Sequence, residues 1–118
     1  MAPPLGNWVV ACLCAEWCRS CREYRACFES FRPREGAVRL AWIDIESSDR
    51  ILEDIDVDGL PTLLVGNGTE VVFAGPVIPR IEILQGLVAR AMRLELPPLR
   101  DEKTVQWATR LLTRIVNS

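Results

Sequence analysis

With 118 residues, the chain is long enough for one domain with a substantial buried core. Its formal net charge of −2 and the lack of a basic block argue against a nucleic-acid partner, and no apolar run approaches the length of a membrane span. All five cysteines fall between residues 12 and 27, and there is no histidine. These thiols therefore cross-link the fold, bind a metal or exchange electrons.

The hydrophobic pattern predicts the element order β-α-β-α-β-β-α-α. Trp8–Cys14 is a continuous apolar run rich in β-branched residues, which is typical of a buried strand. Apolar residues at three- and four-residue spacing predict helices, and Asn67-Gly68 between two apolar runs predicts a hairpin. The further predicted elements are a helix from Cys18 to about Phe31, strand Val38–Ile45, a short helix from Ser47 or Ser48 to about Asp56, strands Thr62–Val65 and Glu70–Ala74, a helix with Pro79 in its first turn ending near Leu94, and a helix from about Asp101 to Val116.

This order predicts an α/β fold, because a βαβ unit followed by a hairpin and a helix builds a mixed sheet flanked by helices. The N-terminal apolar run is short for a signal sequence, and no Lys or Arg precedes it. We therefore expect a cytoplasmic protein. In that compartment, clustered cysteines indicate redox or metal chemistry more than structural cross-linking.

The segment Ala15-Glu16-Trp17-Cys18-Arg19-Ser20-Cys21 lies where the first strand ends and a helix begins. Asp58-Gly59-Leu60-Pro61-Thr62 opens the third strand about forty residues later, and Asn67-Gly68 and Gly75 follow in order. Together these motifs resemble the thioredoxin family over about residues 8–93. The resemblance implies a thioredoxin-like fold with a mixed central sheet of about four strands, and a thiol-disulfide oxidoreductase that reduces protein disulfides.

Physical chemistry assigns different roles to the two cysteines of the Cys-x-x-Cys motif. Cys18 lies at a predicted helix N-terminus, where unpaired N–H groups and the helix dipole favour the thiolate that attacks a disulfide, and Arg19 adds positive charge. Cys21 follows one turn later on the same face and can resolve a mixed disulfide. We expect a redox-active Cys18–Cys21 disulfide, no bound cofactor and no metal, with Ser20 tuning the pair.

The resemblance also implies a substrate groove beside the cysteines. In this family the proline at the position of Pro61 is cis and packs against the pair, and the backbone beside Leu60 pairs with an extended substrate chain. Trp17, Leu60 and Gly75-Pro76 then form the shallow apolar rim of the groove. The expected partners are protein disulfide substrates and an electron-donating reductase, in a role of cell redox homeostasis.

Five positions depart from the family pattern. Cys12 occupies the place of a buried Asp that assists proton transfer, Cys14 that of a common aromatic residue, and Leu40 that of a lysine. Arg19-Ser20 replaces the usual Gly-Pro. These changes leave both active thiols in place but alter proton transfer and redox potential. Cys14 also offers an alternative disulfide or a sensor-like state.

The predicted domain spans residues 1–118, with a core at 8–93 and a C-terminal helical extension at 97–118. Met1–Asn7 is too short for the strand and helix that usually precede the redox strand, so Val38–Ile45 is expected at a sheet edge. We expect the added helix to cover part of the surface left bare, and the protein to be a monomer or a weak dimer through that edge.

Two other functions remain open at this stage. One is a redox-inert thioredoxin-like domain that uses the Leu60-Pro61 groove to bind a partner. The other is a zinc module whose ligands are thiolates of the Cys-x-Cys and Cys-x-x-Cys motifs.

Overall fold

The computed structural model describes residues 8–34, 36–47, 50–53, 55, 57–68 and 70–117. Four strands and three α-helices follow the predicted order, and a 3₁₀ turn stands where a short helix was predicted. The elements are β1 Trp8–Cys14, α1 Arg19–Glu29, β2 Val38–Asp44, the 3₁₀ turn Arg50–Leu52, β3 Thr62–Asn67, β4 Glu70–Pro76, α2 Ile81–Met92 and α3 Glu102–Val116.

The strands form one mixed sheet in the order β2-β1-β3-β4. Strand β1 is parallel to β2 and antiparallel to β3, and β3 and β4 form the antiparallel hairpin. The predicted α/β class with a four-stranded mixed sheet is therefore confirmed. Because β1 is central, all seven of its residues are buried.

The sheet is covered on both faces. Alternate residues of β1 point to opposite sides, as the two-residue period of a strand requires. Helices α1 and α2 pack on the face that carries Trp8, Val10, Cys12 and Cys14. Helix α3 packs on the opposite face against Val9, Ala11 and Leu13. The C-terminal helix thus covers the face of the sheet opposite to α1 and α2.

Helix α3 combines a capped start with a strongly apolar face. The Asp101 carboxylate accepts hydrogen bonds from the Thr104 N–H (3.1 Å) and hydroxyl (2.6 Å), which satisfies groups left unpaired at a helix start. An ideal Cβ added to Gly66 of β3 would lie 2.5 Å from Leu112 of α3 and 2.9 Å from the Glu70 carbonyl. The absence of a side chain at Gly66 therefore lets α3 approach the sheet closely.

Some predicted boundaries differ from the structure. Helix α2 begins at Ile81 with Arg80 as its N-cap, so Pro79 precedes the helix instead of lying in its first turn. The segment after β2 contains only the 3₁₀ turn, and Ser48 and Asp56 lie outside the described residues. Both hairpin strands extend two residues beyond their predicted ends because pairing continues across a bulge at Val65/Gly66 and up to Thr62–Pro76.

Strand β2 has a hydrogen-bonded neighbour on only one side in the part of the chain that the structure describes. This is the edge position expected from the sequence. Among the described residues, no helix is both long and apolar enough to cross a lipid bilayer.

Candidate redox site

The site begins at the C-terminal end of β1, where two cysteines lie on the same face of the strand. Cys12 and Cys14 are 0% and 1% exposed, and their sulfur atoms are 3.7 Å apart. Burial raises the pKa of the Cys12 thiol to about 12, because the surrounding core solvates a thiolate poorly. Cys12 is therefore a neutral thiol at physiological pH.

A tight turn carries the chain from β1 into α1 and exposes the residue before the motif. The Cys18 N–H donates to the Ala15 carbonyl (3.0 Å), and the Arg22 guanidinium donates to the Glu16 carbonyl, which holds this turn against the helix. Trp17 is 67% exposed at the tip of the turn. The side chain is therefore excluded from the core and available to a partner molecule.

Cys18 is the N-cap of α1, with an extended backbone conformation, and its thiol is partly exposed and free. Its carbonyl accepts the N–H of Arg22 (3.1 Å), so the first helical hydrogen bond starts at this residue. Arg19 pairs with Glu23 through a 3.0 Å contact between exposed side chains. The Arg19 side chain is therefore paired with Glu23 of its own helix on the exposed surface.

The disulfide in the structure joins Cys14 to Cys21, and Cys18 remains a free thiol. The expected bond between Cys18 and Cys21 is thus not the one present. The physical reason is the direction of the Cys21 side chain. Cys21 is 1% exposed and faces the sheet, where Cys14 of β1 lies with a Cα–Cα distance of 5.7 Å, within the usual disulfide range.

A second loop reaches the same end of the sheet. The register pairs Leu13 with Thr62 and Thr62 with Pro76, so the end of β1, the start of β3 and the end of β4 are neighbours. The Leu60–Pro61 peptide bond is cis, and the Pro61 carbonyl accepts the Val77 N–H (3.0 Å). Thr62 donates its hydroxyl to the Gly59 carbonyl (2.6 Å), which fixes the loop before the strand.

The structure thus brings four cysteines and the cis-proline loop to one end of the molecule. Cys18 and Leu60 both pack against the cluster that contains Cys12, Cys14 and Cys21, and Gly75 lies on the neighbouring end of β4. Arg19 and Ser20 are exposed on the first turn of α1. The fifth cysteine, Cys27, does not belong to this group.

Cys27 corrects one sequence-based expectation. Its spacing of three residues from Tyr24 and four from Phe31 predicts a thiol on the apolar, buried face of the helix, but Cys27 is exposed. The buried face of α1 consists of Cys21, Tyr24 and Phe28, at three- and four-residue spacing, and Cys27 lies to one side of it.

Tyr24 is a buried neighbour of the cysteines that was not predicted as part of the site. Its hydroxyl is buried with no hydrogen-bond partner among the described residues. Burial, and to a smaller extent the thiols of Cys12 and Cys27, raise its pKa to about 12. Its position one helical turn after Cys21, on the same face of the helix, could have indicated from the sequence that it lies beside the cysteines.

The described residues contain no preformed set of ligands for the zinc site that the sequence left open. No group of three or more His, Cys, Asp or Glu side chains there is placed to hold a metal ion. Two of the thiols that a zinc site would need, those of Cys14 and Cys21, are joined to each other.

Comparison with known proteins supplies independent information. A family model described as thioredoxin matches residues 6–85. No curated protein sequence matches the chain. Among solved structures, a point mutant of thioredoxin from Halobacterium salinarum is 22% identical with a TM-score of 0.61, covering 74% of this chain and 75% of its own. Spinach chloroplast thioredoxin f is 19% identical with a TM-score of 0.61, covering 75% and 74%. Mitochondrial thioredoxin 3 from Saccharomyces cerevisiae, in its oxidised form, is 17% identical with a TM-score of 0.53, covering 71% and 78%.

Proposed function

We propose that this chain, which belongs to the thioredoxin family, is a thiol-disulfide oxidoreductase that reduces protein disulfides through its Trp-Cys-Arg-Ser-Cys motif. The observation that carries the proposal is a free, partly exposed Cys18 thiol at the N-cap of α1, one turn before a cysteine already engaged in a disulfide. Such an arrangement combines an accessible nucleophile with a second sulfur that can resolve a mixed disulfide once its bond to Cys14 is reduced.

The reaction proceeds by two thiol-disulfide exchanges. The Cys18 thiolate attacks one sulfur of the substrate disulfide, and the other substrate sulfur leaves as a thiolate and takes up a proton. The Cys21 thiolate then attacks the Cys18 sulfur, releasing the second substrate thiol. Two electrons have passed from the dithiol to the substrate, and Cys18 and Cys21 share a disulfide that an electron-donating reductase returns to the dithiol. No bound organic cofactor or metal is required.

Substrate binding is assigned to the apolar surface around Cys18. The exposed indole of Trp17 offers a large contact area, and the backbone beside Leu60 and Pro61 offers hydrogen-bonding groups to an extended chain. Gly75 lies near the neighbouring end of β4 and presents no side chain. Arg19 and Ser20 border Cys18 on the solvent side. A disulfide in an extended segment of a protein substrate fits this surface.

The proposed cellular location is the cytoplasm. The proposed partners are protein disulfides and a reductase, with no nucleic acid and no membrane. The proposed oligomeric state is a monomer or a weak dimer through the free edge of β2. Sedimentation velocity over a wide concentration range tests that state, since a weak dimer increases its sedimentation coefficient with concentration.

A second candidate function is a redox-inert binding domain. It is favoured by the Cys14–Cys21 disulfide, which removes Cys21 from the role of resolving thiol. The presence of Cys12 in place of the family's buried Asp also favours it, because a neutral buried thiol is a poor proton acceptor. In that case the groove beside Trp17 and Leu60 binds a partner without electron transfer.

The deciding experiment is reduction of insulin by dithiothreitol in the presence of the protein. Wild type is expected to accelerate the reaction, and Cys18→Ser is expected to fall to the rate of dithiothreitol alone. Cys27→Ser is the matched control, because it removes an exposed thiol of the same helix outside the cysteine cluster. If wild type is no faster than dithiothreitol alone, the oxidoreductase proposal fails and the binding-domain candidate is preferred.

A further inference from the structure

We infer that the oxidised protein moves its disulfide inward, from Cys18–Cys21 at the surface to Cys14–Cys21 in the core, and thereby releases Cys18 as a free thiol. The inference rests on the proposed function, in which Cys18 is the thiol that meets the substrate. It adds a third working cysteine, Cys14, and a second oxidised state with different properties.

Cys21 has two sulfur partners available to it. Cys18 lies one helical turn before it at the N-cap of α1, and Cys14 lies on the facing strand with a Cα–Cα distance of 5.7 Å. The structure contains the second of these bonds and leaves Cys18 free. Since Cys21 can bond only one sulfur at a time, the two disulfides are mutually exclusive.

Burial distinguishes the two oxidised states. Cys14 and Cys21 are each 1% exposed, whereas Cys18 is partly exposed. A substrate or a reductant in solution therefore reaches Cys18 before it reaches the inner pair. The inner disulfide is an oxidised state that is shielded from both.

The transfer is an internal exchange that needs no outside oxidant. The Cys14 thiolate attacks the Cys21 sulfur of the Cys18–Cys21 bond, and Cys18 leaves as a thiolate. The proton lost by Cys14 is balanced by the proton that Cys18 takes up. One S–S bond forms and one breaks, so the number of electrons in the protein is unchanged. The oxidant was the substrate disulfide in the preceding step.

Cys12 does not take part in the exchange among Cys14, Cys18 and Cys21. Its sulfur is 3.7 Å from that of Cys14, but it takes no part in the disulfide and remains a free thiol. Because a bonded Cys14 sulfur has no hydrogen, Cys12 is the donor in the contact between them. Cys12 thus supports the inner disulfide and does not continue the exchange.

The free Cys18 of the inner-disulfide form has a distinct chemical consequence. It can still attack a substrate disulfide, but Cys21 is occupied and cannot resolve the product. The mixed disulfide at Cys18 then persists until a reductant in solution cleaves it. In the inner-disulfide form the protein therefore no longer turns over substrates but keeps one substrate thiol covalently bound at Cys18.

Peptide mapping distinguishes the two disulfides because Glu16, Arg19 and Arg22 separate the cysteines. Fully reduced protein is treated with one equivalent of 2-hydroxyethyl disulfide, trapped with N-ethylmaleimide at successive times, and cleaved after Glu and Arg. The surface disulfide links the peptide Trp17-Cys18-Arg19 to Ser20-Cys21-Arg22. The inner disulfide links the peptide ending at Glu16 to Ser20-Cys21-Arg22 and leaves Cys18 carrying maleimide.

The expected result is an early surface disulfide that gives way to the inner one as the main product. Cys14→Ala should stop at the surface disulfide, Cys12→Ala should still form the inner one, and Cys27→Ser should behave as wild type. Circular dichroism verifies that the variants fold, and the wild-type mapping is independent of them.

Three results would overturn the inference. The first is a surface disulfide at all times in wild type, and the second is a disulfide between Cys12 and Cys21 in Cys14→Ala. The third is an inner disulfide that forms as fast in Cys18→Ser as in wild type, because it would then not pass through the Cys18–Cys21 bond. Insulin reduction that is active while the surface disulfide persists refutes the inward transfer alone. Inactive wild type with a time-dependent shift from the surface to the inner bond refutes the proposed enzyme and retains the transfer.

Discussion

On one face of the sheet, β1 presents Cys12 and Cys14 to helix α1, whereas on the other face the same strand presents only Val9, Ala11 and Leu13 to helix α3. Both faces are buried and both are packed by helices. The difference lies in the chemistry of the side chains, since sulfur atoms and a tyrosine hydroxyl are enclosed on the first face and hydrocarbon dominates the second.

This contrast indicates that the molecule separates its redox chemistry from its stability. The two-residue period of a strand lets one segment serve both purposes, because neighbouring residues never share a face. Changes on the α3 face should therefore alter the free energy of unfolding without altering which cysteines react. Changes of the cysteines on the α1 face should alter reactivity or pH dependence, whereas truncation of a fully buried apolar residue there, such as Phe28, should also destabilise the fold.

The largest expected effect on stability is that of Leu112→Ala on the α3 face. Leu112 is fully buried, and removing its side chain loses apolar contacts and leaves a cavity, which together cost about 2–5 kcal/mol. Urea unfolding monitored by circular dichroism measures the change. Val116→Ala, an exposed position on the same helix, should cost far less. A change in the mapped disulfide of folded Leu112→Ala would contradict the separation of the two faces.

A second, smaller loss of stability is expected when a side chain at position 66 blocks the close approach of α3 to the sheet. Gly66→Ala places a methyl group within 3 Å of Leu112 and of the Glu70 carbonyl, and such overpacking typically costs about 1–3 kcal/mol. Gly86→Ala in α2 is the matched control, because open space surrounds its Cβ and alanine is the better helix former. Equal stability of Gly66→Ala and wild type would refute the close contact.

The cysteine face predicts a loss of stability at alkaline pH. Because the folded-state pKa of Cys12 is raised from 9.0 to about 12, the unfolded chain loses its proton first as the pH rises. The stability contribution is therefore complete below about pH 9 and is lost progressively towards pH 12. Tyr24, with its pKa raised to about 12, adds to the same slope.

Thermal melting of the protein between neutral and alkaline pH, in degassed buffer, measures this effect. Cys12→Ala should reduce the alkaline loss of melting temperature, and Cys27→Ser should resemble wild type, since that thiol is exposed. An alkaline slope that is unchanged in Cys12→Ala would show that the buried thiol does not cause it.

The smallest expected effect is at the start of α3. Asp101→Ala removes the acceptor for the Thr104 N–H and hydroxyl, so the melting temperature should fall slightly. Asp101→Asn keeps an acceptor oxygen and should lie closer to wild type. The hydrogen bonds to Thr104 lower the pKa of Asp101, so the stabilisation is present at neutral pH and is lost as acid protonates the carboxylate. A melting temperature equal in all three proteins would contradict the capping role.

Much of this molecule could be predicted from residue types and their spacing. The apolar run of β1, the Asn67-Gly68 hairpin and the amphipathic pattern of α3 are local signals, and each element is present. Local patterns were less informative for the segment after β2, where a 3₁₀ turn stands in place of the predicted helix. The helix start at Ile81 instead of Pro79 is a similar local error of two residues.

Some properties of the cysteines could likewise be predicted from the sequence, whereas others depend on the tertiary structure. The sequence by itself determined that Cys12 and Cys14 share one strand face and that Cys18 precedes Cys21 by one helical turn, because strand and helix periods fix these relations. Only the tertiary structure decided that Cys21 bonds Cys14, that Cys27 is exposed, and that Gly66 admits Leu112. Those facts depend on how α1 is rotated against the sheet and how closely α3 approaches it, and such relations between elements arise from packing over the whole chain.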